Sequence, residues 1–139
     1  MGKELFIVAK IRSYAPLQSF GEKKTGRIPH ETIRFNGIEF DSLSEKDRYL
    51  ELLVMQKAGI ISDLTCHPEF EIIPRQVHPE TGKFAFHPAH YTGDFQYVRD
   101  GKTIVEDVKS KITREEKDYV IRRKLMLYMN GIYVEEIVK

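Results

Sequence analysis

Cysteine is almost absent from this chain of 139 residues, since Cys66 is the only one. A disulfide within the chain is therefore excluded, and a reducing cytoplasm is the expected location. Long apolar runs are missing too, and none approaches the length of a membrane span. Residues 1–8 alternate charged and apolar side chains, unlike the apolar core of a signal peptide. We expect a soluble, cytoplasmic protein without a membrane partner.

An excess of charge of one sign is also missing, because 22 Lys and Arg face 21 Asp and Glu, for a net charge of +1. This balance counts against a protein that coats DNA through a global basic field. It leaves room for a nuclease, whose acidic site offsets local basic patches. The chain has neither a Gly-rich phosphate loop nor a nucleophile elbow around Ser or Cys.

Turn and helix signals predict a mixed α/β fold in one domain of residues 1–139. Residues 1–30 are expected to hold a strand and a basic loop, and residues 31–139 the core. The dipeptide Asn36-Gly37 predicts a tight hairpin. The remaining predicted elements are a capped helix over 45–58, strands at 70–73, 83–98, 103–111 and 132–138, and a helix from a capping box at 113–116 to about 129.

The most informative pattern is a pair of strand-like runs joined by an Asp-Gly turn at residues 100–101. On an alternating strand, Val105, Asp107 and Lys109 share one face. Asp94 would lie alongside that face, and its position in an aromatic strand asks for a reason because Asp is depleted from strands. Two carboxylates and an ammonium would then converge, as metal-assisted phosphodiester hydrolysis requires. A merely solvated strand face is the alternative that the pattern leaves open.

Each predicted helix carries one charged residue inside its apolar arc. Glu45 lies within the arc of the first helix, which consists of Tyr49, Leu50, Leu52, Leu53 and Val54. A carboxylate that faces the core needs a partner, although a first-turn Glu can also favour the helix dipole and reach solvent. Lys124 lies within the arc of the second helix, which consists of Val120, Ile121, Leu125, Leu127 and Tyr128. Lys124 either reaches a phosphate or a site carboxylate, or snorkels to solvent.

The histidines offer a competing site. Cys66, His67, His78, His87 and His90 lie within twenty-five residues of one another. Their spacing matches no usual zinc pattern, and only one thiol is available. A structural protein stabilised by zinc on His67, His87 and His90 is therefore the weaker alternative.

Four motifs occur in an order that resembles the PD-(D/E)XK nuclease superfamily, and more closely a family of small phage-encoded nuclease-like proteins. They are residues 36–45, which end in Glu45, then 91–95, 105–109 and 123–125. The resemblance covers residues 30–139. Gly93 stands where the superfamily has a proline, and Arg122 where the family has a lysine. The resemblance implies a restriction-endonuclease-like core of helix, three-stranded antiparallel meander, helix and strand. The hairpin predicted at Asn36-Gly37 would be an N-terminal β-hairpin extension of this core.

The same resemblance implies a metal-dependent DNA endonuclease. Asp94 and Asp107 would ligate Mg²⁺ or Mn²⁺ together with the Val108 carbonyl, and Glu45 would complete the shell. Lys109 would orient the attacking water or neutralise developing charge. The expected contacts to the DNA backbone are Lys124, Arg122 and Arg123 on the second helix and Lys23, Lys24 and Arg27 in the loop.

The implied setting is phage DNA processing, recombination or branch resolution in a bacterial host cell, with a phage or prophage origin. Nucleases that resolve branches commonly dimerise, so a homodimer is an open expectation. The rival of another class is a module on a nuclease fold that binds DNA or protein without cutting.

Overall fold

Residues 32–139 are the part of the chain that the computed structural model describes. They form a mixed α/β fold of two helices and several small sheets. No helix in this range is long and apolar enough to cross a membrane. The predicted N-terminal strand and the basic loop, with Lys23, Lys24 and Arg27, lie outside the described residues.

The described part begins with a hairpin and a helix. Strands β1 (Ile33–Phe35) and β2 (Ile38–Phe40) pair antiparallel around Asn36 and Gly37, which both have positive φ. A tight hairpin turn requires this conformation, so the prediction from Asn-Gly is confirmed. Ser42 is the N-cap of helix α1 (Leu43–Lys57), and its hydroxyl accepts the Glu45 backbone N–H at 3.1 Å.

A four-stranded sheet forms the centre of the fold. Its order is β10-β9-β8-β3, with β3 at Ser62–Cys66, β8 at Phe95–Arg99, β9 at Lys102–Lys109 and β10 at Glu135–Val138. Strands β3 and β9 each pair antiparallel with β8, and the Asp-Gly turn at residues 100–101 joins β8 to β9 as predicted. Strand β10 is parallel to β9, since helix α2 (Lys117–Asn130) carries the chain across.

A β-ribbon is inserted between β3 and β8. Its inner part pairs β4 (Glu69–Ile73) with β7 (Ala89–Thr92), and its outer part pairs β5 (Gln76–Val77) with β6 (Phe84–Phe86). The prediction of one strand over residues 83–98 is therefore wrong. That segment forms β6, β7 and β8 in three different sheets, because Pro88 lacks a donor and the chain bends at Asp94.

Strand β3 was not predicted from the sequence. Residues 70–73 form a strand as predicted, but that strand belongs to the ribbon. The first strand of the central antiparallel meander is β3 instead. Strand β3 has few apolar residues, and its pairing is irregular around Asp63, which has a φ of +55°. A pattern of alternating apolar residues therefore does not reveal it.

The central sheet has a buried cluster on each side. One cluster lies with α1 and contains Phe40, Tyr49, Leu52, Ile61, Phe95 and Tyr97. The other lies with α2 and contains Ile72, Tyr91, Val105, Tyr119, Met126 and Val134. Strand β9 is covered on both faces, so that three consecutive residues, Val105, Glu106 and Asp107, are buried.

The apolar arcs predicted for the helices need correction. Helix α1 buries Glu45, Tyr49 and Leu52, but Leu50 and Val54 are exposed. Helix α2 buries Tyr119 and Met126, whereas Ile121, Leu127 and Tyr128 of the predicted arc are exposed. The residues of the predicted capping box form a 3₁₀ turn at Thr113–Glu115, and α2 begins after Glu116 without a side-chain cap. Apolar residues surround this helix, so contacts with the sheet decide which stripe is buried.

One charged pair clamps α1 to β9. Arg48 donates from Nε to Glu106 Oε1 at 2.8 Å and from Nη2 to Oε2 at 3.1 Å. The Tyr97 hydroxyl donates to Glu106 Oε2 at 3.0 Å, and burial, together with the Glu106 charge, raises the pKa of Tyr97 to about 12. Glu106 is fully buried, so its carboxylate depends on these donors.

We expect Arg48→Met to lower the free energy of unfolding by about 3–5 kcal/mol, because it leaves Glu106 as a buried charge without its cation. Urea unfolding of the purified variant measures this loss. Arg34→Met is the matched control, since Arg34 forms an exposed pair with Glu39 and its loss should cost at most about 1 kcal/mol. Equal effects of the two substitutions would contradict a special role for the Arg48–Glu106 pair.

Candidate active site

Three acidic residues from separate segments converge at one end of the central sheet. Asp107 lies on β9, Asp94 in the bend that precedes β8, and Glu45 in the first turn of α1. His67 contacts both Glu45 and the Asp94 backbone, and Asp94 is hydrogen-bonded to Glu106 and Val108 on either side of Asp107. The negative charge of Glu45 helps to raise the pKa of both Asp94 and Asp107. Lys109 follows on the Asp107 face of β9.

Asp107 is 2% exposed and has two partners. The Tyr91 hydroxyl donates a hydrogen bond to Oδ2, and Lys109 Nζ lies 3.5 Å from Oδ1. Burial raises the pKa of Asp107 to about 6, although Lys109 opposes the change. The carboxylate is thus poorly solvated and only partly neutralised.

Asp94 is held against the neighbouring strand by its backbone and its side chain. Its N–H donates to the Glu106 carbonyl at 3.1 Å, and Oδ2 accepts the Val108 N–H at 2.6 Å. Burial raises the pKa of Asp94 to about 6, with a further contribution from Glu45. A Cβ on the preceding Gly93 would lie 3.0 Å from the Val105 side chain, so any other residue here would require Val105 to shift.

Glu45 is 3% exposed, so the alternative in which it reaches solvent is wrong. Its Oε2 accepts the Asp41 backbone N–H at 3.0 Å, beside the cap that Ser42 makes. Its Oε1 lies 2.9 Å from His67 Nε2. Each oxygen of this carboxylate therefore has its own partner, one from the helix terminus and one from the end of β3.

Lys109 lies between Asp107 and an aromatic ring. Its Nζ is 4.8 Å from the centre of the Tyr119 ring, a cation–π distance that restrains the ammonium beside Asp107. The buried Tyr119 hydroxyl has no hydrogen-bond partner within the described part of the chain. Burial raises the pKa of Tyr119, and the charges of Asp107 and Glu136 add to the effect.

The basic residues predicted to contact DNA have different surroundings. Lys124 and Arg122 are exposed on α2. Arg123 is engaged, because it donates to the Val134 carbonyl at 3.0 Å and to Glu136 at 2.9 Å. Lys124 lines a groove of about 680 Å³ with Arg114, Glu115, Val120, Arg123, Leu127, Tyr133 and Glu136.

Three further residues at this site were not predicted from the sequence to belong to it. Tyr91 donates to Asp107, and Glu136 lies opposite Asp107 in the register of the parallel pair, where Arg114 and Arg123 neutralise it. His67 contacts Glu45. An aromatic strand and a final strand with two Glu were visible in the sequence, but no local pattern indicated that they pair with the Asp107 strand.

The histidines do not assemble into one site. His67 contacts Glu45, the His87 ring lies 4.6 Å from the Phe84 ring, and His90 lies 3.8 Å from Glu69. Within residues 32–139, no three His, Cys, Asp or Glu side chains are arranged to enclose a metal ion. The carboxylate oxygens of Asp94, Asp107 and Glu45 are nevertheless the donor type that Mg²⁺ and Mn²⁺ prefer, so these residues fit such an ion by chemistry.

The fold and site define a mixed α/β protein with a buried acidic cluster at the end of its central sheet. The chain belongs to the family described as "Protein of unknown function (DUF1064)", whose model matches residues 27–137. No curated protein and no solved structure matches the chain.

We expect Asp107→Asn to stabilise the fold at pH 8. Burial raises the pKa of Asp107 from near 4 to about 6, so between these values the native state holds a proton that the unfolded state has released. The free energy of unfolding therefore falls as the pH rises through this window, by up to about 3 kcal/mol for two pKa units. Asn removes that penalty. Urea unfolding should show a gain for the variant at pH 8 that shrinks towards pH 4; a gain independent of pH would refute this origin.

Proposed function

We propose that the protein is a metal-dependent DNA endonuclease with a restriction-endonuclease-like core. The chain order supports this fold, because α1 precedes the antiparallel strands β3, β8 and β9, and α2 leads to β10, which is parallel to β9. The contacts that bring Glu45, Asp94, Asp107 and Lys109 to one end of the central sheet are the observation that carries the proposal. A protein that only needed stability would gain from apolar residues at such buried positions.

The proposed roles follow from the environment of each side chain. Asp94 and Asp107 are the central cation ligands, because burial leaves their charges under-compensated at neutral pH. Glu45 completes the set of carboxylate ligands. The carbonyl of Val108, the residue after Asp107 on β9, is a further oxygen ligand. A bound Mg²⁺ or Mn²⁺ would polarise the phosphate and lower the pKa of an attacking water.

Lys109 has the second chemical role. The Tyr119 ring and Asp107 hold its ammonium at the edge of the cluster, a quarter exposed. There it can orient the attacking water or neutralise charge that develops on the phosphate. Because its position is set before substrate arrives, little reorganisation is needed at the moment of reaction.

DNA would be held by the exposed Lys124 and Arg122 on α2 and by Lys23, Lys24 and Arg27. Arg123 contributes indirectly, since its guanidinium ties α2 to β10. Phage DNA processing, recombination or branch resolution, and a homodimer that places two cuts, remain predictions from the resemblance. The alternative is a non-catalytic binding module, which would have no need for a buried Asp107 beside a partly buried Asp94, both with under-compensated charges.

Cleavage of DNA tests the proposal. Supercoiled, linear, branched and single-stranded DNA are incubated with the protein and Mg²⁺, Mn²⁺ or a chelator. We expect metal-dependent cuts, and a loss of at least about 100-fold in rate for Asp107→Asn and Lys109→Met, since preorganised charges of this kind contribute on that scale.

The controls separate chemistry from folding. Lys102→Met removes an exposed lysine from the other end of β9 and should cut like the wild type. Asp118→Asn removes an exposed carboxylate at the start of α2 and should also be silent. If no substrate is cut with either metal, or if Asp107→Asn cuts as fast as the wild type, the assignment fails.

A further inference from the structure

His67 makes two separate contacts with the acidic cluster. Its side-chain Nε2 lies 2.9 Å from Glu45 Oε1, and its backbone N–H donates to the Asp94 carbonyl at 2.9 Å. One residue therefore touches two of the three segments that supply carboxylates. The next residue continues this contact, because the Pro68 carbonyl accepts the Gly93 N–H at 3.0 Å.

The backbone at His67 is unusual for this residue type. Its φ of +52° lies in the left-handed region, where Gly and Asn are far more common than a ring-bearing side chain. A turn between β3 and β4 that needed only this backbone shape would be served better by glycine. The imidazole is therefore the feature that explains a histidine at this position.

The imidazole completes the orientation of Glu45. The contact from the Asp41 N–H fixes Oε2 at the helix terminus, as a capping interaction does. That single contact leaves the carboxylate free to rotate about its own axis. The contact of His67 with Oε1 removes this freedom, so the plane of the carboxylate is set by two elements that lie far apart in the sequence.

We propose that His67 is a positioning residue that orients Glu45 for the bound cation. The inference rests on the proposed cation-binding role of the acidic cluster. It also adds to the site a residue from the turn that follows β3. Partners that orient a metal ligand typically contribute about 10- to 100-fold to metal affinity or activity.

Two substitutions remove the imidazole without disturbing the turn. His67→Gly and His67→Asn both tolerate a positive φ, and neither side chain reaches Glu45. We expect about 10- to 100-fold weaker Mn²⁺ binding by titration calorimetry, and a similar rise in the Mg²⁺ concentration needed for half-maximal cleavage. The KM for DNA should change little. Thermal unfolding of the metal-free protein measures the separate structural cost of leaving Oε1 of the buried Glu45 without its partner. A merely structural histidine would lower stability without weakening Mn²⁺ binding by the folded protein.

His67→Gln is the conservative rescue. Its amide nitrogen is as many bonds from the backbone as the imidazole Nε2, so it can donate to Glu45 and should restore most of the Mn²⁺ affinity. His90→Gln controls for loss of a histidine, because His90 is as exposed as His67 (41% against 39%) but lies on β7 and faces Glu69 on β4. Asp63→Gly controls for relief of a positive φ, since Asp63 has a φ of +55° on β3, the strand that ends just before His67. Both controls should bind Mn²⁺ like the wild type.

The outcomes distinguish this inference from the proposed function. Wild-type Mn²⁺ affinity in His67→Gly, or no recovery in His67→Gln, would overturn the positioning role while leaving the nuclease assignment intact. A wild-type protein that cuts no DNA but binds Mn²⁺ in a manner that depends on His67 would refute the nuclease and support the positioning role. A wild-type protein that neither binds Mn²⁺ nor cuts would refute both.

Discussion

The structure depends on the burial of two consecutive carboxylates on opposite faces of β9. Glu106 faces α1, where Arg48 and Tyr97 supply three hydrogen bonds to it. Asp107 faces the other way, and within residues 32–139 its partners are the Tyr91 hydroxyl and the Lys109 ammonium at 3.5 Å. The first carboxylate holds the fold together, because its charge is fully matched. The second weakens the fold at neutral pH, and this imbalance marks the site where an additional positive charge would be stabilising.

Local signals predicted the parts of the fold that local chemistry determines. The turns at Asn36-Gly37 and Asp100-Gly101 form where expected, because glycine and asparagine permit the positive φ that tight hairpins need. The start of α1 agrees with its capping residues. The alternation along β9 also holds, with Val105 in one cluster and Val108 packed against the other. Period-two alternation is a property of the strand itself, so the sequence alone reveals it.

The remainder required knowledge of contacts between distant segments. Strand β3 has too few apolar residues to stand out, and the ribbon between β3 and β8 is defined by pairing across some twenty residues of sequence. The buried stripe of α2 is chosen by the sheet beneath it, because apolar residues surround the helix. His67 and Tyr91 join the candidate site only through tertiary contacts. Such residues leave no periodic signal, since their partners lie on other elements.

We propose that the charge imbalance around Asp107 and Asp94 serves to hold a divalent cation. Crystals of the wild-type protein soaked in Mn²⁺ test it most directly, because manganese gives an anomalous signal that locates the ion without prior assumptions. We expect an anomalous peak within coordinating distance of carboxylate oxygens of both Asp94 and Asp107. A peak confined to the histidines, or no peak at the acidic cluster when Mn²⁺ is in large excess, would contradict it.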